Sequence, residues 1–276
     1  MTRTALQLAL IQTRTPAQQA EALEHVRPWI EHAAADGAQL IVLPECANLM
    51  EARPEQKAKI VTTEDADIFV LGVRDMARRL RVDILIGSVI VTSGADEKVV
   101  NRSLMVGHDG EITARYDKIH LFDADTPDGK TYRESASVTP GDRAVVADTS
   151  GVKLGLSICY DLRFASLYRA LAKAGAEMMA VPAAFTVPTG RAHWEVLLRA
   201  RAIETGCFVL AAAQGGPHAD GRTTYGHSMV VSPWGEVVAS LNHDHPAILT
   251  AKLDMSDISR VRAALPSLRH DRAFSL

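Results

Sequence analysis

The chain lacks the features that mark several common protein classes. It holds only three cysteines, Cys46, Cys159 and Cys207, an odd number with no CxxC pair. That suits neither a disulfide framework nor a zinc ribbon, and it points to a reducing, cytoplasmic setting. No GxGxxG or GxxxxGK[ST] string occurs, which argues against a bound nucleotide, and no HExxH spacing suggests a metal. Lys and Arg form no run, and the formal net charge is −3, so neither nucleic acid nor an anionic membrane is an expected partner. Nothing approaches the roughly 18 apolar residues of a membrane span. The opening "MTRTALQLALIQTRTP" is interrupted by Gln7 and Gln12 and has no small-residue cleavage site, so it reads as a first strand, not a signal peptide. A small-molecule partner is what remains.

What the chain has is core. At 276 residues and 47% hydrophobic content it can bury a large interior, and no linker or composition break divides it. One domain, 1–276, is expected, with its core at about 4–253 and a C-terminal arm at about 255–276. Residues 4–12 alternate as a strand, then Ala20, Leu23, Val26, Ile30 and Ala33 recur at helical spacing. Pro28 predicts a kink there, and Asp36-Gly37 a helix end before the buried strand "AQLIVLPE". Helix-like "DADIFVLGVRDMARRLR" and the strand "VDILIGSVIV" repeat the alternation, and Asp109-Gly110 marks a hairpin turn.

Residues 117–143, rich in Asp, Gly, Pro and Thr, read as a long loop of the kind that carries function. A second hairpin leads to "GLSICYDLRF", followed by helices at about 164–174 and 190–205 and strands at "EMMAVP", "CFVLAAA" and "AILTAKLD". From Met255 a short helix and basic tail are expected outside the core. Strands, helices and interspersed hairpins in this order argue for an α/β sandwich with mixed sheets.

Cys159 ends an apolar strand just before a helix. A cysteine there is ordinarily packing, but a strand-to-helix turn also presents a side chain where backbone N–H groups are free, a setting that lowers a thiol pKa and binds an oxyanion. A nucleophilic thiol needs a base. His120 and His193 are candidates, each equally readable as a polar anchor. Glu45 in "IVLPECAN" is stronger, since an acid at the C-terminal end of a buried strand is part-desolvated. Lys118 and Glu134 say little alone. With Glu45 and Cys159 they compose a thiol, a base, an ammonium and a supporting carboxylate.

"LPE" at 43–45, "DKIHLFD" at 117–123 with "ES" at 134–135, and "GLSICYDLRF" resemble the three signature regions of the nitrilase (carbon–nitrogen hydrolase) superfamily. The likeness extends over about residues 5–253 and takes in "NRSLMV", "HWEVLLRARAIE" and "GHSMVVSPWGEV". It implies a four-layer αββα sandwich and pairing into a homodimer or higher homo-oligomer. It further implies Cys159 as nucleophile, Glu45 as general base, Glu134 as its support, and an oxyanion hole of the Lys118 side chain and the Tyr160 backbone N–H. Cys159 would attack a carbonyl, ammonia would leave a thioester, and Glu45 would activate water, with no metal or cofactor.

Within the superfamily, residues 192–235 most resemble amidases of deaminated glutathione. Omega-amidases of 2-oxoglutaramate and 2-oxosuccinamate come second, N-carbamoyl amide hydrolases third, and a true nitrilase is disfavoured. Either leading substrate carries a carboxylate, for which Arg163 and Arg191 are candidate clamps. Arg191 and Arg199 each stand four residues from Glu195, so a helix-surface ion pair is the competing reading. Phe185 and Thr186 are candidate pocket walls, Cys207 a core residue and His227 a structural hydrogen-bonder. A catalytically silent scaffold, or a redox pair of Cys46 with Cys159, are the readings from other classes.

Overall fold

The structure is a computed structural model and describes residues 5–93 and 98–275. Thr4, at the expected start of the core, and Leu276 lie outside the described residues. The chain begins β1 (Ala5–Gln12), α1 (Gln19–Ala35), β2 (Leu40–Val42), α2 (Pro54–Ile60), α3 (Ile68–Leu80), β3 (Asp83–Thr92), β4 (Val99–Val106) and β5 (Ile112–Asp117). It continues β6 (Asp123–Asp125), β7 (Thr131–Arg133), β8 (Val146–Thr149), β9 (Val152–Gly155), α4 (Ala165–Lys173), β10 (Met178–Ala180) and α5 (Val187–Thr205). It closes β11 (Phe208–Ala211), β12 (Gly215–Pro217), β13 (Thr223–Tyr225), β14 (Met229–Val231), β15 (Val237–Ser240), β16 (Ala247–Asp254) and α6 (Ser256–Ala264).

Two six-stranded mixed sheets result, in the orders β16-β1-β2-β3-β4-β5 and β15-β14-β11-β10-β9-β8. Each has a parallel centre, β1-β2-β3 or β9-β10-β11, flanked by antiparallel strands. The two-residue period of β1 decides which way its side chains point. Leu6, Leu8 and Leu10 join the core shared with the second sheet, while Ala9 and Ile11 join the core beneath α1 and α3. Val26, Ile30 and Ala33 of α1, with Val73 and Met76 of α3, cover that outer face. Tyr168 and Leu171 of α4, with Trp194 and Leu198 of α5, are buried with the second sheet. The architecture is the αββα sandwich expected.

Four details depart from the sequence reading. The loop at 117–143 contains the β6–β7 hairpin and a 3-10 turn at Glu134–Ala136. α2 has no counterpart in the reading because it buries no side chain, so no apolar period announces it. α5 begins at Val187, since Pro188 sits in the first turn, where a missing N–H costs nothing. α6 is seated on the core rather than outside it. Met255 and Ile258 enter the shared cluster, and Arg262 donates to the carbonyls of Ala176 (2.7 Å) and Thr205 (3.3 Å). α1 runs through Pro28 as one helix and ends at Asp36, with Gly37 at φ 86°. Among the described residues no helix is long and apolar enough to cross a membrane.

Candidate active site

The sheet ends carry the four expected residues into one cavity. Past β2 the ladder continues through Leu43 N–H to Leu85 O, then Cys46 turns the chain at φ 55° and donates its N–H to Ser88 Oγ. Glu45 is thereby held at the turn, with its carbonyl accepting from Gln214 Nε2 at 2.9 Å. Gly87 makes the close approach possible, because a Cβ there would lie 2.0 Å from Leu43 O and 2.6 Å from Pro44 O. Lys118 directly follows β5, its N–H bonded to Asn101 O. Glu134 opens the 3-10 turn after β7.

Cys159 opens a 3-10 turn of its own, Cys159–Arg163, with φ at 49° and its N–H on Pro182 O. A left-handed φ on a residue with a Cβ costs about 1–3 kcal/mol and persists only where the surroundings impose it. Here Asp161, fully buried, does so. Its carboxylate accepts the Ile158 N–H (2.8 Å), the Tyr116 hydroxyl (2.7 Å) and the His120 N–H (3.0 Å), and lies 2.7 Å from His120 Nδ1. Tyr116 and His120 flank Lys118, so one carboxylate fixes the Cys159 turn to the lysine's strand end. Among the described residues the Tyr160 N–H has no acceptor, which leaves it free to meet an oxyanion.

Lys118 is 2% exposed and donates from Nζ to Glu45 Oε1 at 2.9 Å and to both Glu134 oxygens at 3.0 and 2.9 Å. Burial opposes its charge, but the carboxylates of Glu134 and Glu45 prevail and raise its pKa well above the usual value. The other Glu45 oxygen accepts the Ala184 N–H at 2.9 Å, and Asn101 Nδ2 donates to Glu45 at 3.0 Å. Phe122 N–H holds Glu134 at 2.6 Å.

Glu45, Cys159 and Ala184 line the same cavity, with the Ala184 N–H on Glu45. Burial first, then the charge of Glu45, pushes the Cys159 thiol's pKa well above the usual value. The expectation of a thiol acidified by a helix end is thus corrected. Desolvation beside a carboxylate outweighs the short turn's dipole, and Cys159 rests as a thiol whose proton has an adjacent acceptor.

The cavity has a volume of about 280 Å³. Tyr160, Arg163, Phe185 and Thr186 line it together with the four central residues. Arg163 lies 5.7 Å from the ring centroids of both Tyr160 and Phe185, and its polar neighbour is His193 Nδ1 at 3.3 Å. Arg191 is corrected: it is exposed on α5 and does not line the cavity. Glu195 pairs with Arg199 at 3.3 Å.

His120 is committed to Asp161 and stacks on Phe164 at 3.6 Å. His227 stacks on Tyr225 and accepts the Trp194 indole N–H at its carbonyl, a structural role. Cys46 shares the cavity wall, its pKa pushed up to about 12 by burial and by Glu45. Cys207 is buried against Ala176 O. Among the described residues no group of three or more His, Cys, Asp or Glu is arranged to hold a metal ion.

Sequence reasoning missed Asn101, Asp161, Arg222 and the Ala184 N–H. Asn101 had a signal, an amide inside the apolar strand "VVNRSLMV", where a buried side chain requires a partner. Arg222, bound to Asp220 at 2.6 Å, reaches the cavity from the β12–β13 turn, and nothing local announces it.

The carbon-nitrogen hydrolase family model matches residues 7–263. A deaminated glutathione amidase of Yersinia enterocolitica is 43% identical over 87% of this chain and 84% of its own length. Human omega-amidase NIT2 is 34% identical over 98% and 96%. The crystal structure of the C. elegans NitFhit protein superposes with a TM-score of 0.92 at 34% identity, covering 99% of this chain. This chain spans only 66% of that protein's length. With a match across almost the whole sandwich and the signature residues gathered in one cavity, the chain belongs to the carbon-nitrogen hydrolase family, in the nitrilase superfamily, and is a hydrolase of amide carbon–nitrogen bonds.

Proposed function

We propose that the chain cleaves the amide of deaminated glutathione, with Cys159 as nucleophile, Glu45 as general base and acid, Lys118 and the Tyr160 N–H as the oxyanion hole, and Glu134 as the support of Lys118. The observation that carries the chemistry is the convergence of Glu45 and Lys118 on a buried thiol at a strained turn. As sulfur attacks the carbonyl carbon, its proton passes to Glu45. The tetrahedral oxyanion is met by Lys118 Nζ and the Tyr160 N–H, a donor pair of which each member is worth about 10²–10³ in kcat. Glu45 returns the proton to the leaving nitrogen, the C–N bond breaks and a thioester remains. Glu45 then deprotonates water, which attacks the thioester, and the proton goes to the departing sulfur.

The substrate rests on the likeness to the Yersinia amidase and on Arg163, a cavity-lining cation with no carboxylate partner among the described residues. Arg163 is proposed to hold the carboxylate of the 2-oxo acid portion, with Phe185 and Thr186 as walls. For a primary amide the leaving group is ammonia; for deaminated glutathione it is cysteinylglycine. The omega-amidase reading is the alternative, favoured by the likeness to the human enzyme. A homo-oligomer acting in the cytoplasm without metal or cofactor completes the proposal, and exposed Val196, Ile203 and Trp234 support a covered face.

Both substrates yield 2-oxoglutarate, so one assay compares them. The expected result is a kcat/KM at least tenfold higher for deaminated glutathione than for 2-oxoglutaramate, with Cys159→Ser as the inactive blank. A preference for 2-oxoglutaramate would overturn the substrate.

A further inference from the structure

The cations lining the cavity divide into those already neutralised and those that are not. Lys118 is held by two glutamates, Arg222 by Asp220 and Arg133 by Asp125. Arg163 and Lys57 have no carboxylate partner among the described residues. These two are carried by different elements. Arg163 stands on the Cys159 turn, against Tyr160 and Phe185. Lys57 is half-buried on α2, beyond Glu51, whose own charge is taken up by Arg53. α2 buries no side chain, so the core does not explain why it brings Lys57 to the cavity.

From this arrangement we infer that Lys57 binds a carboxylate on the leaving-group side of the substrate, making the enzyme selective for amides whose amine portion ends in a free carboxylate. The inference rests on the substrate reading above and deepens it. While the acyl portion stays on Cys159 beside Arg163, the amine portion must extend along the rest of the cavity lining, to which α2 contributes Lys57. Cysteinylglycine carries a terminal carboxylate; ammonia carries none. A cation there therefore assists the peptide amide and is indifferent to the primary one. Arg133 and Arg222 are poorer candidates, because a substrate carboxylate would compete there with a carboxylate already in place.

The test compares deaminated glutathione, its C-terminal amide and 2-oxoglutaramate in the intact protein, in Lys57→Met and in Lys57→Arg, each read as 2-oxoglutarate formed. A charge-assisted contact with a half-buried lysine is worth about tenfold. Wild type is expected to prefer the acid-ended over the amide-ended peptide by about that factor in kcat/KM. Lys57→Met should bring the ratio near one, Lys57→Arg should restore it, and 2-oxoglutaramate turnover should stay within about twofold throughout. An acid-to-amide ratio that is the same in wild type and Lys57→Met overturns the inference and leaves the substrate reading intact. Turnover of 2-oxoglutaramate with none of either peptide amide overturns the substrate reading, and the inference with it.

Discussion

Replacing Asp161 by Asn tests whether one buried carboxylate holds the two halves of the site together. Asp161 is fully buried and does not line the cavity, so it has no direct route to the substrate. Its two oxygens serve Ile158 N–H and the Tyr116 hydroxyl on one side, and the N–H and Nδ1 of His120 on the other. An asparagine can keep its oxygen toward Ile158 and Tyr116, and a neutral His120 can offer Nδ1 to the new amide. The His120 backbone N–H is then left facing another donor. An orphaned buried donor costs about 1–3 kcal/mol, and the surviving bonds lose their charge assistance, so the sum is about 3 kcal/mol. For a chain of this size that lowers Tm by about 6–12 °C.

The same clamp sets the Cys159 turn against Lys118, and a displacement of about 1 Å between reacting groups costs about 10² in rate. We expect kcat to fall by about that factor with KM within about threefold. Tyr116→Phe removes one of the four contacts and should cost about 1 kcal/mol with a smaller loss of kcat. Differential scanning calorimetry and steady-state kinetics on the pair decide the matter. An Asp161→Asn protein with unchanged Tm and kcat, or a Tyr116→Phe protein as damaged as Asp161→Asn, would refute the reasoning.

Two further outcomes follow from the same geometry. The pKa of Cys159 is raised by burial and Glu45, and that of Cys46 reaches about 12, so folding retains thiol protons that the unfolded chain releases above about pH 8.5. The folded state then binds more protons, and stability must fall as pH rises from there; denaturant midpoints between pH 8 and 10.5 that stay flat would contradict it. Gly87→Ala forces a Cβ to within 2.0 Å of Leu43 O, directly behind Glu45. Relief requires the backbone before Glu45 to move, so activity should drop by about 10² or more, and a fully active Gly87→Ala enzyme would show that the turn has slack.

What was legible in the sequence was whatever has a local signature. β1 and β2 announced themselves by apolar period, and Glu45, Lys118, Glu134 and Cys159 by motif. What was hidden depends on partners far along the chain. The turn strain at Cys159 is imposed through Asp161 by Tyr116 and His120, more than forty positions earlier. α2 carries no apolar stripe because it buries no side chain, and its link to the cavity is Lys57. Arg191 looked like a clamp because it is near the signature in sequence, yet α5 turns it to solvent while Arg163 faces the cavity. The raised thiol pKa has the same origin. A helix start is visible in one dimension, whereas desolvation beside Glu45 exists only once two sheets have closed over the site. That closure has a chemical consequence. With Lys118 already engaged by two carboxylates, and with burial and Glu45 outweighing its pull on the sulfur, the resting group is a thiol, so in the proposed mechanism the nucleophile is generated during attack with Glu45 as the base.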